Sequence, residues 1–300
     1  MAQQDSRTWH IAAVDLDWLA LSLPPSCNLA ERRWPVDLET MLISLYVLVH
    51  DWWERAHPPS PRKPGRPPSL SDAEVLTLAI LAQWPRFRSE RDFHRFADAH
   101  LRPYFPNLVS HGQLNRRIRA LEPKLKAFQR SLAETLVDDS EAYHILDTTL
   151  IPAIVRVRAC RKGLFAGQAA FGRCVSKTEW VYGFKVALSV SPEGVIMAFG
   201  LAEANSDERP IGEFLVAATP QDSAQRAWPA KARRWAAGKR QLIEGVIDQL
   251  KDLFALERHR AKTLRGLLSR LAAKIVAYTC GQALNARLGR PLRHLAALLV

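Results

Sequence analysis

Apolar residues recur every three or four positions in the first half of the chain, and this spacing predicts amphipathic helices. The first helix is expected over residues 37–54, because the prolines that begin at position 58 cannot continue it. Three more helices should each begin after a serine whose side chain can cap the first turn: Ser71, Ser89 and Ser110. These helices are predicted to end near residues 83, 100 and 137.

Proline dominates the stretch between the first two helices. Residues 58–68 read PPSPRKPGRPP, which holds six prolines and one glycine. Such a segment is typical of a semi-rigid linker. Its GRP core, with Arg62, Lys63 and Arg66, is alternatively suited to the minor groove of DNA.

The middle of the chain changes to the period of β-strands. A short apolar run over residues 143–152 contains one acid, Asp147. Residues 181–190 and 195–202, separated by a Ser-Pro-Glu-Gly turn, predict a β-hairpin. Helical patterns resume in three later segments: one capped by Asp207, one over 235–258 and one over 263–288. The expected fold class is therefore α+β or α/β, with helices before and after a sheet.

Basic residues outnumber acidic ones, 42 to 30, which gives a formal net charge of +12. The excess lies in two blocks, +8 over residues 61–130 and +11 over residues 221–300, on either side of a mildly acidic middle. This distribution indicates a polyanionic partner, with nucleic acid preferred to a membrane surface. Solvated helix faces are the alternative explanation of the same charge.

The helix after Ser110 begins with side chains that can bind DNA. Four of them lie in its first two turns: Gln113, Asn115, Arg116 and Arg117. Amide and guanidinium groups form paired hydrogen bonds with base edges, so three short helices ending in this one suit a helix-turn-helix arrangement. A charged surface helix without a ligand has the same pattern.

The sequence also excludes several classes of protein. Four cysteines occur, at Cys27, Cys160, Cys174 and Cys280. They are too widely spaced for a zinc site. No signal peptide is recognisable, and the most apolar window, 41–49, has about half the length of a membrane span. We therefore expect a soluble cytoplasmic protein that does not bind membranes. Signatures of P-loop, serine hydrolase, dinucleotide-binding and zinc protease sites are absent.

Asp147 is the most informative residue of the predicted sheet. A carboxylate inside the apolar strand ILDTT is costly to bury unless it binds a cation or an arginine. The alternative is an acid at the end of a strand that pairs with a surface lysine.

A second candidate lies on the helix predicted over residues 235–258. Four charged residues follow one another at intervals of three or four: Arg240, Glu244, Asp248 and Lys251. They therefore share one face of the helix. An ordinary salt-bridged surface helix would look similar.

In their order along the chain, these segments resemble the DDE-type transposases of bacterial insertion sequences. The strand ILDTTLIP is followed by Ser176-Lys177, YGFKVAL, AEANSDERP, the R-x3-E-x6-K helix and LERHRAKTLRGLLSRLAAKIVAYTCGQALN. Upstream, the stretch from GRPPSLSDAEVLTLAILAQW to SHGQLNRR is similar to the helical N-terminal part of the same enzymes. The resemblance covers roughly residues 60–295.

The resemblance implies a domain organisation. An N-terminal helical segment (1–57) and the linker (58–68) would precede a DNA-binding, helix-turn-helix-like region (69–138). An RNase H-like catalytic domain with a mixed sheet would occupy residues 139–300.

The resemblance also implies an activity. Asp147 and Glu244 would be catalytic carboxylates that hold two Mg²⁺ or Mn²⁺ ions for phosphodiester cleavage and strand transfer. Arg240, Lys251 and Lys185, the lysine of YGFKVAL, would contact DNA phosphates. The implied partner is double-stranded DNA, at transposon ends and at the target, and the implied assembly is a homodimer.

The sequence departs from the family's pattern at the middle carboxylate. The family places this Asp after an apolar strand in an Asp-Lys-Gly type of motif, and residues 219–235 contain neither. Asp222, in a polar stretch, is the remaining candidate for a third metal ligand, and Ala237 replaces a Tyr that is common in relatives. We expect an internal deletion that leaves the catalytic domain incomplete between about 219 and 235 and impairs cleavage.

Two other functions remain open at this point. The first is a non-catalytic DNA-binding protein that occupies transposon ends or inhibits the full-length enzyme. The second is a helical structural protein whose surface is basic without a nucleic-acid partner.

Overall fold

The computed structural model describes residues 36–58, 68–84, 87–137, 143–154, 163–174, 179–207 and 230–298. Most of the predicted linker, the residues Cys27, Cys160 and Asp222, and the start of the helix expected after Asp207 lie outside these ranges. All described residues belong to one compact unit, Pro35–Val300. Their fold is mixed α+β, with seven α-helices and an open antiparallel sheet among the described residues.

Five described helices precede the sheet: α1 (Leu38–Ala56), α2 (Asp72–Leu81), α3 (Glu90–His100), α4 (His111–Ala120) and α5 (Glu122–Glu134). The predicted serine caps are confirmed. Ser71, Ser89 and Ser110 each accept a hydrogen bond from the backbone N–H three residues later. These bonds satisfy donors that the first turn of a helix leaves without an intrahelical partner.

One helix prediction was wrong. The single helix expected from Ser110 to residue 137 is two helices, α4 and α5, that meet at Leu121. Pro123 lies in the first turn of α5, has no N–H to donate to the carbonyl four residues earlier, and is tolerated only near a helix start.

The sheet has four strands: β1 (Ile145–Pro152), β2 (Ala170–Cys174), β3 (Glu179–Val190) and β4 (Ile196–Glu203). Strand β3 pairs with the other three, and each of these pairings is antiparallel where a mixed sheet was expected. The predicted hairpin is β3–β4. Gly194 in its turn has φ +87°, a conformation that glycine adopts without the steric cost of a Cβ.

Two further α-helices follow, α6 (Ala230–Asp252) and α7 (Leu264–Arg287), and a 3-10 turn at Leu295–Leu298. Helix α7 fits the predicted range 263–288 and is capped by Thr263. Helix α6 ends six residues before the predicted limit at 258, and Ala255, with φ +49°, lies in the loop after it.

Helix α7 forms the centre of the core. Every residue from Leu271 to Asn285 is buried, because α2, α4, α5, α6 and β4 pack around the helix. Its polar side chains have partners inside the core. Gln282 Nε2 and the Tyr278 hydroxyl donate to the carbonyl of Gly194, at 2.8 and 3.4 Å, and fix the hairpin turn to the helix. Within the described ranges, no helix combines the length and the apolar character that crossing a membrane requires.

Candidate functional site

Asp147 lies inside β1, opposite Leu188 of β3, and is partly buried. It is therefore not at a strand end. Its Oδ1 accepts a 2.8 Å hydrogen bond from the backbone N–H of Thr148, so the strand itself orients the carboxylate.

Glu244 lies on the outer face of α6. The inner face is buried through Ile243, Val246, Ile247 and Leu250. Arg240, Glu244 and Asp248 are exposed on the other side, as the spacing predicts. Arg240 Nε is 3.3 Å from Glu244 Oε1, and these side chains are 69% and 55% exposed. An exposed pair of this kind contributes at most about 1 kcal/mol, so Arg240 can exchange it for a phosphate at small cost.

The two carboxylates lie on neighbouring elements. Helix α6 packs against β1, and the Lys239 Nζ lies 5.6 Å from the centre of the Tyr143 ring, just before the strand. Carboxylate oxygens are the ligands that Mg²⁺ prefers. However, no group of three His, Cys, Asp or Glu side chains that could hold a metal ion occurs among the described residues. Asp222 lies outside them.

The two lysines that were predicted to contact phosphate, Lys251 and Lys185, have partners within the protein. Lys251 Nζ is 3.4 Å from Glu257 Oε1. Lys185 Nζ donates a 2.8 Å hydrogen bond to the carbonyl of Ser206. Lys185 also lines an open cleft of about 730 Å³ at the end of the sheet, together with Trp180.

Helix α4 is held in place by two of the four residues predicted to bind DNA. Arg117 donates to the Leu70 carbonyl at 2.7 Å and to Asp72 Oδ1 at 2.6 Å, which ties α4 to the start of α2. Asn115 Nδ2 donates to Glu90 Oε2 at 3.1 Å, which ties it to α3.

The other two residues face solvent. Gln113 is exposed, and its Oε1 accepts a 3.2 Å hydrogen bond from the Ser110 N–H in a reciprocal cap. Arg116 is exposed and has no side-chain partner within the described part of the chain. The outer surface of α4 therefore presents one amide and one guanidinium group.

Helices α3 and α4 contact each other, but residues 101–110 connect them. This connection is longer than the turn of about 3–4 residues in a helix-turn-helix motif. Leu101, Phe105 and Leu108 are buried within it, so the connection is part of the core.

Sequence reasoning missed an ion pair between α3 and α7. Arg270 Nε and Nη2 donate to the two carboxylate oxygens of Glu90, each at 2.6 Å. Burial raises the pKa of Glu90, but the hydrogen bonds and the charge of Arg270 outweigh burial and hold the pKa below its ordinary value. No sequence pattern links two residues that are 180 positions apart.

Two buried bases lie in the same region. His259 Nδ1 accepts from the Ala261 N–H and Nε2 bonds to the Pro152 carbonyl, both at 3.0 Å, so the imidazole is neutral with its proton on Nε2. Burial lowers the pKa of His259. Lys274 Nζ donates to the Phe254 carbonyl, and burial, followed by the charge of Arg270, lowers the pKa of Lys274 to about 8.

Comparison with known proteins identifies no relative. No protein-family model, no curated protein and no solved structure matches the chain.

Proposed function

We propose that this chain is a DNA-binding protein of the DDE transposase type, which binds double-stranded DNA at transposon ends and whose DNA cleavage is impaired. The observation that carries the proposal is the surface of α4. Arg116 and Gln113 are exposed, while Asn115 and Arg117 fix the helix to α2 and α3. A helix held in this way presents the Arg116 guanidinium and the Nε2 of Gln113 to a base edge or a phosphate, while the Oε1 of Gln113 stays in the cap.

The charge of the chain supports the same partner. The formal net charge is +12, and both basic blocks contain parts of the proposed DNA-binding surface, α4 in one and α6 in the other. A positive field of this kind speeds encounter with DNA and makes the affinity depend on salt.

The order of elements supports the transposase type and an RNase H-like catalytic domain. Asp147 lies on β1, the antiparallel hairpin β3–β4 follows, and Glu244 lies on the helix that packs against β1. This is the order on which the resemblance of the sequence depends. By the same resemblance, we propose that the protein acts as a homodimer.

The proposed impairment follows from the missing middle carboxylate. Two-metal phosphodiester cleavage needs ligands that hold both ions and the reacting oxygens in line. Asp147 and Glu244 supply two carboxylates, and Asp222, outside the described residues, is the remaining candidate for the third. Loss of one ligand should reduce Mg²⁺-dependent cleavage by about 100-fold or more.

DNA binding is tested by fluorescence anisotropy with a labelled duplex taken from the sequence that flanks the gene. Arg116→Ala should weaken binding about tenfold, as expected for one lost DNA contact. Arg130→Ala is the matched control, because Arg130 is an exposed arginine on α5 that pairs with Glu134. Absence of salt-sensitive binding by the wild-type protein near physiological salt would refute the proposal.

Cleavage is tested on the same duplex with Mg²⁺ or Mn²⁺. The wild-type protein should show little or no nicking above the Asp147→Asn and Glu244→Gln variants. Rapid nicking that Asp147→Asn abolishes would show that the site is complete, and the impairment would be rejected. DNA binding without any cleavage would favour a protein that only occupies transposon ends.

A further inference from the structure

A cleft of about 240 Å³ lies where α3 and α4 meet the start of α7. Four basic side chains line it: Arg119, Arg260, Lys262 and Arg270. Among the described residues of the lining, the one carboxylate is that of Glu90.

Glu90 does not neutralise the cleft, because it is already paired. Arg270 occupies both of its carboxylate oxygens, and Asn115 donates a further hydrogen bond to Oε2. The other three cations have no carboxylate partner among the described residues, and the Arg119 Nε donates only to a backbone carbonyl of its own helix. About three positive charges therefore converge on one concave surface without a compensating anion.

Two of these cations are presented by a loop of defined shape. Arg260 has φ +50°, a left-handed conformation that costs a residue with a side chain on the order of 1 kcal/mol. The imidazole of His259 holds this loop through its hydrogen bonds with Ala261 and Pro152. Because the backbone of this loop is held, a ligand has to order only the exposed side chains of Arg260 and Lys262 and not the main chain.

The start of α7 adds to the positive potential. Thr263 and Gly266 lie in the lining of the cleft, and the first turn of α7 has no acidic residue. The partial positive charge at a helix N-terminus therefore faces the same space as the three cations.

We propose that this cleft binds a phosphate group through Arg119, Arg260 and Lys262. In the DNA-binding protein proposed above, on which this assignment rests, the ligand is one backbone phosphate of the duplex. A guanidinium fork and an ammonium match the several oxygens of a phosphodiester. The neighbouring phosphates of a DNA backbone supply further negative charge for the three cations, which a single carboxylate ligand lacks.

The position of the cleft on α4 favours DNA as the source of the phosphate. Arg116 and Arg119 are three residues apart, so their Cα positions differ by about 4.5 Å along the helix axis. Arg116 is exposed and Arg119 lies in the cleft. A duplex that contacts Arg116 thus brings its backbone to the mouth of the cleft, and the bound phosphate would set the register of the DNA on α4.

The test compares Lys262→Gln and Arg260→Gln with Arg265→Gln in the full chain. Arg265 is an exposed arginine in the first turn of α7 that does not line the cleft, so it is a matched control for the loss of one charge. Affinity for a labelled duplex is measured by anisotropy between about 50 and 200 mM salt. Loss of the phosphate contact should weaken binding at least about tenfold, and the slope of log K against log salt should fall by about 0.9. The Arg265→Gln protein should retain both values.

A second measurement separates this inference from the proposed function. Binding of inorganic phosphate is followed by thermal shift and by ³¹P NMR. If wild-type protein binds the duplex but the cleft variants bind it with unchanged affinity and slope, the cleft assignment is wrong and the DNA-binding proposal stands. If no duplex binds but phosphate stabilises the wild type and not Lys262→Gln, the cleft is a phosphate site for a small ligand. If neither duplex nor phosphate binds, both proposals are refuted.

Discussion

Arg270 on α7 donates two hydrogen bonds of 2.6 Å to the carboxylate of Glu90 on α3, which lies 180 residues earlier in the sequence. The side chains are 23% and 31% exposed, so most of the pair is removed from water. The pair joins the helix at the centre of the core to the helical region that precedes the sheet.

Glu90→Gln should lower the free energy of unfolding by about 3 kcal/mol, because it leaves the Arg270 charge largely buried without its counter-charge. Urea unfolding monitored by circular dichroism measures this change. The control is Glu134→Gln, which breaks the exposed Arg130–Glu134 pair and should cost less than about 1 kcal/mol. Equal effects of the two substitutions would show that the Glu90–Arg270 pair contributes no more than a surface pair.

Lys274→Met should stabilise the protein at neutral pH, and the gain should shrink at alkaline pH. Burial lowers the folded-state pKa of Lys274 from 10.5 to about 8, so the buried charge disfavours folding most below about pH 8, where the lysine is protonated in both states. Between pH 8 and 10.5 the folded protein loses this proton first, so the penalty shrinks as the pH rises and is gone above about pH 10.5.

The difference in melting temperature between wild type and Lys274→Met is measured at pH 7 and at pH 10, and it should be larger at pH 7. Lys126→Met serves as control, because Lys126 is 43% exposed and pairs with Glu122. A stability difference between wild type and Lys274→Met that is the same at both pH values would contradict the buried charge.

His259 should make the fold sensitive to acid. Its folded-state pKa lies below 6.5, so the unfolded chain takes up the proton first and stability falls as the pH drops below about 6.5. Protonation would also place a hydrogen on Nδ1, which accepts the Ala261 N–H.

The His259→Gln variant should be less stable than wild type at pH 8, because the Pro152 and Ala261 groups lose their partner. It should lose less stability than wild type between pH 8 and pH 5. NMR of the imidazole provides a direct check, and a titration midpoint above 6.5 would overturn the assignment of a neutral ring.

Gly183→Ala should disrupt the pairing of β1 with β3. A Cβ at Gly183 would overlap the carbonyl of Ile151 and lie 2.8 Å from the backbone nitrogen of Ala153. We expect a loss of about 3 kcal/mol or more, or failure to fold, because backbone atoms cannot move aside as a flexible side chain can.

Gly112→Ala is the matched change. Apart from its chain neighbours and the adjacent backbone of its own helix, no atom of the described residues lies within 4 Å of a Cβ at Gly112, which is in the first turn of α4. It should leave stability unchanged or raise it by about 0.5 kcal/mol. Chemical denaturation measures the free energy of unfolding of both variants. A Gly183→Ala protein as stable as wild type would contradict the close approach of the two strands.

Local signals in the sequence predicted local structure. Ser71 and Ser110 each form both hydrogen bonds of a capping box, and the turn before Val195 closes the hairpin as expected. The break at Leu121 was missed because the apolar spacing continues through it, although Pro123 marks the start of α5.

Contacts between distant residues could not be predicted. Arg117 was expected to face DNA, and its guanidinium is bonded to Asp72 and the Leu70 carbonyl. Arg270 is also an arginine, and its segment was predicted only to be helical, yet its side chain pairs with Glu90. Which arginine turns inward depends on how helices pack, and helical periodicity does not contain that information.

Helix α7 has a consequence for how the chain reaches its native state on the ribosome. Its contacts with Glu90 and with Gly194 close loops of 180 and 88 residues. Helices α2, α4 and α5 and strand β4 pack on α7, so the faces that it covers emerge from the ribosome before it does and are buried only when α7 has been made. During that interval, nascent chains offer hydrophobic surface to chaperones or to one another, and a ribosome stalled before α7 should release an aggregation-prone product.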